Sequence, residues 1–66
     1  MTVMAYEPHT GDPHVLELKK APVGAPYIVL LDGSFLATAD SCREGEDEIE
    51  ATILWFGWSR NNPNFA

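Results

Sequence analysis

YIVLLDGSFLATA, Tyr27 to Ala39, is the stretch whose reading decides the fold. Two runs of β-branched, aromatic and other apolar residues flank Asp32-Gly33, the pattern of two strands joined by a tight turn. A two-residue hairpin turn needs positive φ at both central positions, which Asp tolerates and Gly adopts freely. The turn predicts antiparallel strands over 27–31 and 34–39, with Leu31 opposite Ser34, Leu30 opposite Phe35, Val29 opposite Leu36 and Ile28 opposite Ala37. One face then carries Ile28, Leu30, Phe35 and Ala37. The other carries Tyr27, Val29, Leu31, Leu36 and Thr38. Both faces are apolar, and a single helix covers only one of them.

Upstream, HVLELKKA over 14–21 reads as a further strand, with Leu16 and Leu18 on one side. The prolines and glycine of PVGAP, 22–26, separate it from the hairpin. Residues 1–13 hold Pro8, Gly11 and Pro13 and read as an irregular lead-in. Downstream, Ser41 and Glu44 have the S-x-x-E spacing of a helix N-terminal capping box. Cys42, Gly45, Ile49, Ile53 and Phe56 fall on one stripe of a helix over 42–57, expected to lie on Ile28, Leu30, Phe35 and Leu16. Gly45 costs about 1 kcal/mol of helix propensity, which points to a close approach of helix and sheet there. Gly57 is placed to end the helix in the left-handed region, with Trp58 folding back on the last turn. Residues 53–58 also have strand propensity, and a strand there is the alternative. The expectation is one α+β domain over 1–66, a three-stranded antiparallel sheet with one C-terminal helix on one face and a tail at 60–66.

At 66 residues, such a chain buries only about 60% of its unfolded surface, so packing, self-association or a partner must supply its stability. Cys42 is the single cysteine, which rules out an internal disulfide. Cys42, His9 and His14 lack metal-ligand spacing, and no metal or cofactor is expected. No serine or cysteine has a base placed beside it by the pattern, and no glycine-rich phosphate loop occurs. We therefore expect no catalytic residues and no enzyme. Ten acids against four bases give a net charge of −6, which disfavours direct nucleic-acid binding because phosphates require clustered Lys and Arg. No apolar run reaches membrane-span length and the N-terminus lacks a signal-peptide pattern. The expected compartment is the cytoplasm.

The segment EGEDEIE, 44–50, holds five carboxylates: Glu44, Glu46, Asp47, Glu48 and Glu50. The helix dipole favours acids near the N-terminus, which accounts for Glu44, Glu46 and Asp47. Glu48 and Glu50 lie beyond its reach. The pairs Glu44–Asp47, Glu44–Glu48, Glu46–Glu50 and Asp47–Glu50 each cost about 0.2–0.5 kcal/mol. The surplus acid is a candidate partner surface. Neighbours on a helix face are about 5–6 Å apart, close to the spacing of successive phosphates, so such a row suits a cationic groove. Trp55 and Trp58 are candidate apolar anchors beside it. The sheet face left open, with Tyr27, Val29, Leu31 and Leu36, is a candidate homodimer surface.

In size, acidity, β-β-β-α pattern and the run EGEDEIE, the chain resembles small phage-encoded inhibitors of the anti-CRISPR and DNA-mimic kind. The resemblance implies a cytoplasmic inhibitor that occupies the basic nucleic-acid-binding groove of a host defence complex. The alternatives are a homodimeric assembly module and an accessory subunit of a larger enzyme.

Overall fold

The structure, a computed structural model, describes residues 1–63. It is an α+β fold, but the sheet has four antiparallel strands and not three. The strands are β1 (Thr2–Tyr6), β2 (Pro13–Lys20), β3 (Tyr27–Leu31) and β4 (Ser34–Ala39), laid side by side in chain order. The helix α1 spans Cys42–Phe56. The expected tail beyond residue 63 lies outside the described residues.

The additional strand comes from the lead-in. TVMAY alternates, and Val3 and Ala5 point inward and are buried. Pro8 and Gly11 lie in the turn between β1 and β2, closed by the Gly11 N–H donating to the Glu7 carbonyl at 2.8 Å. Pro13 occupies the first position of β2, opposite Tyr6, where proline is tolerated. The prolines bound the strand and do not forbid it. On its outer edge, Tyr6 exchanges two backbone hydrogen bonds with Ser59, at 2.7 and 2.8 Å. The residues after the helix thereby cover part of an otherwise free edge.

The β3–β4 turn is the expected one, with Asp32 at φ 52° and Gly33 at φ 85°. Next to it the register is also as expected, Leu31 opposite Ser34 and Leu30 opposite Phe35. A bulge then intervenes: Val29 faces Ala37 and Ile28 faces Thr38, leaving Leu36 as the extra residue. Leu36 and Ala37 consequently both lie toward the helix side, and Phe35 points away.

The helix covers the opposite face from the one expected. Its buried residues Gly45, Ile49 and Ile53 pack on Val3, Ala5, Leu16, Leu18 and Val29. Tyr27, Leu31, Leu36 and Trp58 close the margins of this core. The β2–β3 register explains the choice. Glu17 faces Leu30 and Lys19 faces Ile28, so the face carrying Ile28 and Leu30 also carries two charges, while Leu16 and Leu18 bring only apolar surface to the other. Burying the charged face would strip water from two ionised groups, a cost larger than the gain of about 1.5–3 kcal/mol per apolar side chain.

The helix ends are built as the sequence implies. The Ser41 hydroxyl accepts from the Glu44 N–H at 3.1 Å. Gly57 sits at φ 72°, its N–H donating to the Leu54 carbonyl at 3.1 Å while the Trp58 N–H donates to Ile53 at 3.0 Å. This is the Schellman arrangement, and residues 53–56 are helix, not strand. Gly45 lies directly on Leu18: a methyl group there would overlap the leucine's isobutyl carbons. Cys42 and Phe56, placed on the core stripe by spacing, are exposed at the two ends of the helix. No helix among the described residues is long and apolar enough to cross a membrane.

Candidate binding surface on the helix

The outward side of α1 follows from its inward side. With Gly45, Ile49 and Ile53 buried, the turn of 100° per residue aims Glu44, Asp47, Glu48, Ala51, Leu54 and Trp55 at solvent. All of them are exposed, Leu54 to 81% and Trp55 to 86%. They form one ridge about 17 Å long at 1.5 Å per residue, acidic in its first half, small at Ala51 and strongly apolar at its end. Glu46 and Glu50 flank it and are also exposed.

Local energetics do not account for the acidic half. Only Glu44 lies in the first turn, so the dipole stabilises one carboxylate and not the three expected. Among the described residues, Glu50 alone of the five has an internal ion pair, to Arg60 at 3.3 Å, with both side chains more than half exposed. An exposed pair of this kind contributes about 0.2–1 kcal/mol at most. The like-charge pairs along the helix together cost about 1–2 kcal/mol. Among the described residues Glu44, Glu46, Asp47 and Glu48 make no ion pair, and the nearest base along the helix, Arg43, is exposed at the end where the dipole disfavours a cation.

The two tryptophans part company. Trp55 stands free on the ridge. Trp58 is only half-exposed and is sandwiched: its ring lies 3.9 Å from the His14 ring, nearly parallel, and 4.5 Å from Phe56 on the other side. Trp58 is therefore a fastening of the helix end to β2 and is not an anchor on the outward ridge. Tyr27, Val29, Leu31 and Leu36 also leave the candidate list of exposed surface, because they lie under the helix; Val29 is fully buried.

Spacing alone does not mark His14 as a structural centre, yet three elements converge on it. Nδ1 lies 2.8 Å from Asp32 in the β3–β4 turn, and Nε2 lies 2.9 Å from Glu7 in the β1–β2 turn. A neutral imidazole has one N–H and one lone pair, so it satisfies only one carboxylate; the imidazolium satisfies both. The hydrogen bond to Asp32, and then that to Glu7, push the imidazole pKa above its ordinary 6.5. The same His14 contact, with the Val15 N–H donating to Oδ1 at 2.8 Å, holds the Asp32 carboxyl below its usual range. The charged ring against Trp58 adds a cation–π contact. The parity of His14 with Leu16 and Leu18 was the available signal, since it puts the imidazole on the face that the helix covers.

Elsewhere the chemistry is spare. The neighbouring Cys42 side chain pushes the Tyr27 phenol's pKa up, and His9 is exposed in the β1–β2 turn. No group of three or more His, Cys, Asp or Glu side chains among the described residues is arranged to hold a metal ion. No family model, curated protein or solved structure matches the chain.

Proposed function

We propose that this chain is a small protein-binding module whose acidic helix ridge occupies a cationic groove on a partner protein, a groove that otherwise receives nucleic-acid phosphates. A stoichiometric blocker, not a catalyst, is the role this reading gives it. One observation carries it: Glu44, Asp47 and Glu48 are exposed, mutually repelling and without an ion pair among the described residues, on the same ridge as a fully presented Trp55. The fold bears a cost there that a cationic partner reverses. The apolar end supplies what charge alone does not, since an aromatic seated in a socket and rimmed by charged contacts is the usual form of a binding hot spot. The free thiol of Cys42 suits a reducing compartment, and the reading places the binding in the cytoplasm.

The test is capture from nuclease-treated host lysate on the immobilised chain, followed by competition with a DNA duplex. Captured proteins should be basic, nucleic-acid-binding and displaced by the duplex, and capture should weaken steeply as salt is raised. The triple variant Glu44→Gln, Asp47→Asn, Glu48→Gln removes three charges and relieves repulsion, so it stays folded. It should bind roughly 10- to 100-fold more weakly, from about 0.5–1 kcal/mol per exposed contact. Capture that the duplex does not displace, or that the triple variant retains in full, overturns the proposal.

A further inference from the structure

We propose that His14 is a pH-operated clamp on the strap that follows the helix, residues 57–61: the charged ring holds the strap on the edge of β1, and the neutral ring lets it go. The ring stands where the β1–β2 turn, the β3–β4 turn and the strap meet. Glu7 lies 2.9 Å from Nε2, Asp32 lies 2.8 Å from Nδ1, and the Trp58 ring stacks on the imidazole at 3.9 Å. β1 opposes His14 with Ala5, which carries no charge. Arg60, the charged residue of the strap, reaches to Glu50 on the helix. Among the described residues, the ionisable groups bound to the ring are therefore two carboxylates.

The two carboxylates do not compete equally for one proton. Asp32 also accepts the Val15 N–H at 2.8 Å, and its own N–H donates to the Val15 carbonyl at 2.8 Å. The β3–β4 turn thus keeps Asp32 against Nδ1 whatever the charge of the ring. The Glu7 carboxylate has His14 as its hydrogen-bond partner and no second one among the described residues. A neutral ring therefore keeps its proton on Nδ1, facing Asp32, and turns the Nε2 lone pair on Glu7. Two acceptors at hydrogen-bond distance repel, so Glu7 leaves. The bonds to both carboxylates raise the imidazole pKa above the ordinary 6.5, which sets the clamp to close on the acid side of the transition and open on the alkaline side.

The strap follows because Glu7 adjoins Tyr6, whose backbone exchanges hydrogen bonds with Ser59 at 2.7 and 2.8 Å. Release of Glu7 loosens the chain beside that attachment, and loss of the ring's charge removes the cation–π part of the Trp58 contact at the same time. Little else fastens the strap to the body of the fold. The Arg60–Glu50 pair is more than half exposed on both sides, and Trp58 packs only on the margin of a core centred on Leu16, Val29 and Ile49. The strap can lift while sheet and helix stay packed, a local opening and not unfolding. It bares the Tyr6 N–H and C=O on the outer edge of β1, the face of Trp58 and the Glu50 carboxylate. The clamp rests on this cluster and is independent of what the helix ridge binds.

Amide hydrogen exchange followed by NMR on the full chain, at about pH 6 and about pH 8.5 and in zero to about 1 M urea, reads the clamp. The Tyr6 and Ser59 amides, which donate across the strap contact, should be less protected than those of the buried Val29 and Ile53. They should exchange through an opening that dilute urea does not promote. Corrected for the intrinsic pH dependence of exchange, their protection should fall roughly tenfold from about pH 6 to about pH 8.5, through loss of one exposed carboxylate contact and one cation–π contact. Glu7→Gln replaces the carboxylate by an amide that donates to a bare Nε2 or accepts from a protonated one, so its strap protection should stay level over the same range. Strap amides that exchange only together with the core, in a urea-sensitive opening, overturn the proposal. So does wild-type protection that is level or rising with pH, or a Glu7→Gln profile that falls as steeply as the wild type's.

Discussion

The doubly bound His14 makes stability fall as pH rises through neutrality. The sign follows from the shift. His14 has its folded pKa raised above the ordinary 6.5, so its contribution is complete below the unfolded value and is lost as pH rises through the folded one. Asp32 is shifted down from 3.8, so its contribution is present above that value and lost as pH falls through the lower folded one. Stability should therefore be greatest from about pH 4 to pH 6.5 and decline above it. The magnitude is bounded by exposure: Glu7 and Asp32 are 40% and 48% exposed around a ring that is 20% exposed. Each contact is then worth about 0.5–1 kcal/mol, and deprotonation removes about 1–2 kcal/mol in total. A domain of this size loses about 4–8 °C in Tm per kcal/mol, so the midpoint should drop by roughly 5–15 °C between pH 6 and pH 8.5. Thermal melts followed by circular dichroism measure this. His14→Gln should unfold at a lower temperature at pH 6 and show a much flatter profile over the same range, with His9 still present. In a Trp55→Phe background, Trp58 emission should rise over the same interval, as the quenching imidazolium stacked on it loses its proton. A wild-type midpoint that is level or rising from pH 6 to pH 8.5, or a His14→Gln profile that falls as steeply, would refute the reasoning.

Two further substitutions test the packing of the helix and the cost of its acids. Gly45→Ala gains about 1 kcal/mol in helix propensity but places its methyl on the buried Leu18, an overpacking worth about 1–3 kcal/mol. The net outcome should be a lower Tm, and the companion Leu18→Ala should recover part of the loss in the double variant. Asp47→Asn removes the repulsions with Glu44 and Glu50 and should raise stability by about 0.4–1 kcal/mol in urea unfolding, while weakening partner capture.

The helix and its terminal motifs were legible because they rest on local rules. Ser41 and Gly57 act within one turn of themselves, and Asp32-Gly33 sets its own dihedral angles. Even the Gly45 approach could be inferred, since a helix keeps a glycine on its buried stripe only where a side chain would not fit. The acidic ridge was legible too, because the buried stripe fixes the exposed one. β1 is hidden in the sequence because Pro8 and Pro13 look like breakers of the segment that holds them. Their places in the turn and at a strand's first residue leave Thr2–Tyr6 free to pair.

Which sheet face the helix covers could not be read from the hairpin alone. A two-residue turn dictates register only as far as the first bulge, and an extra residue at Leu36 exchanges the faces beyond it. With both faces of 27–39 apolar, the deciding information lies in β2, where Glu17 and Lys19 mark one side as unfit for burial. That information reaches β3 only through the β2–β3 register, and the connection PVGAP is too long to impose one. The same dependence hid the His14 cluster. Its three partners, Glu7, Asp32 and Trp58, stand 7, 18 and 44 positions away in the chain, and they meet only when the strand register and the helix exit angle are both set. The acidic ridge is therefore a property of one helix and could be read early. The clamp and the open face are properties of the assembled sheet, so a change such as Leu36 deletion, which would restore the unbulged register, should disturb both while leaving the isolated helix propensity untouched.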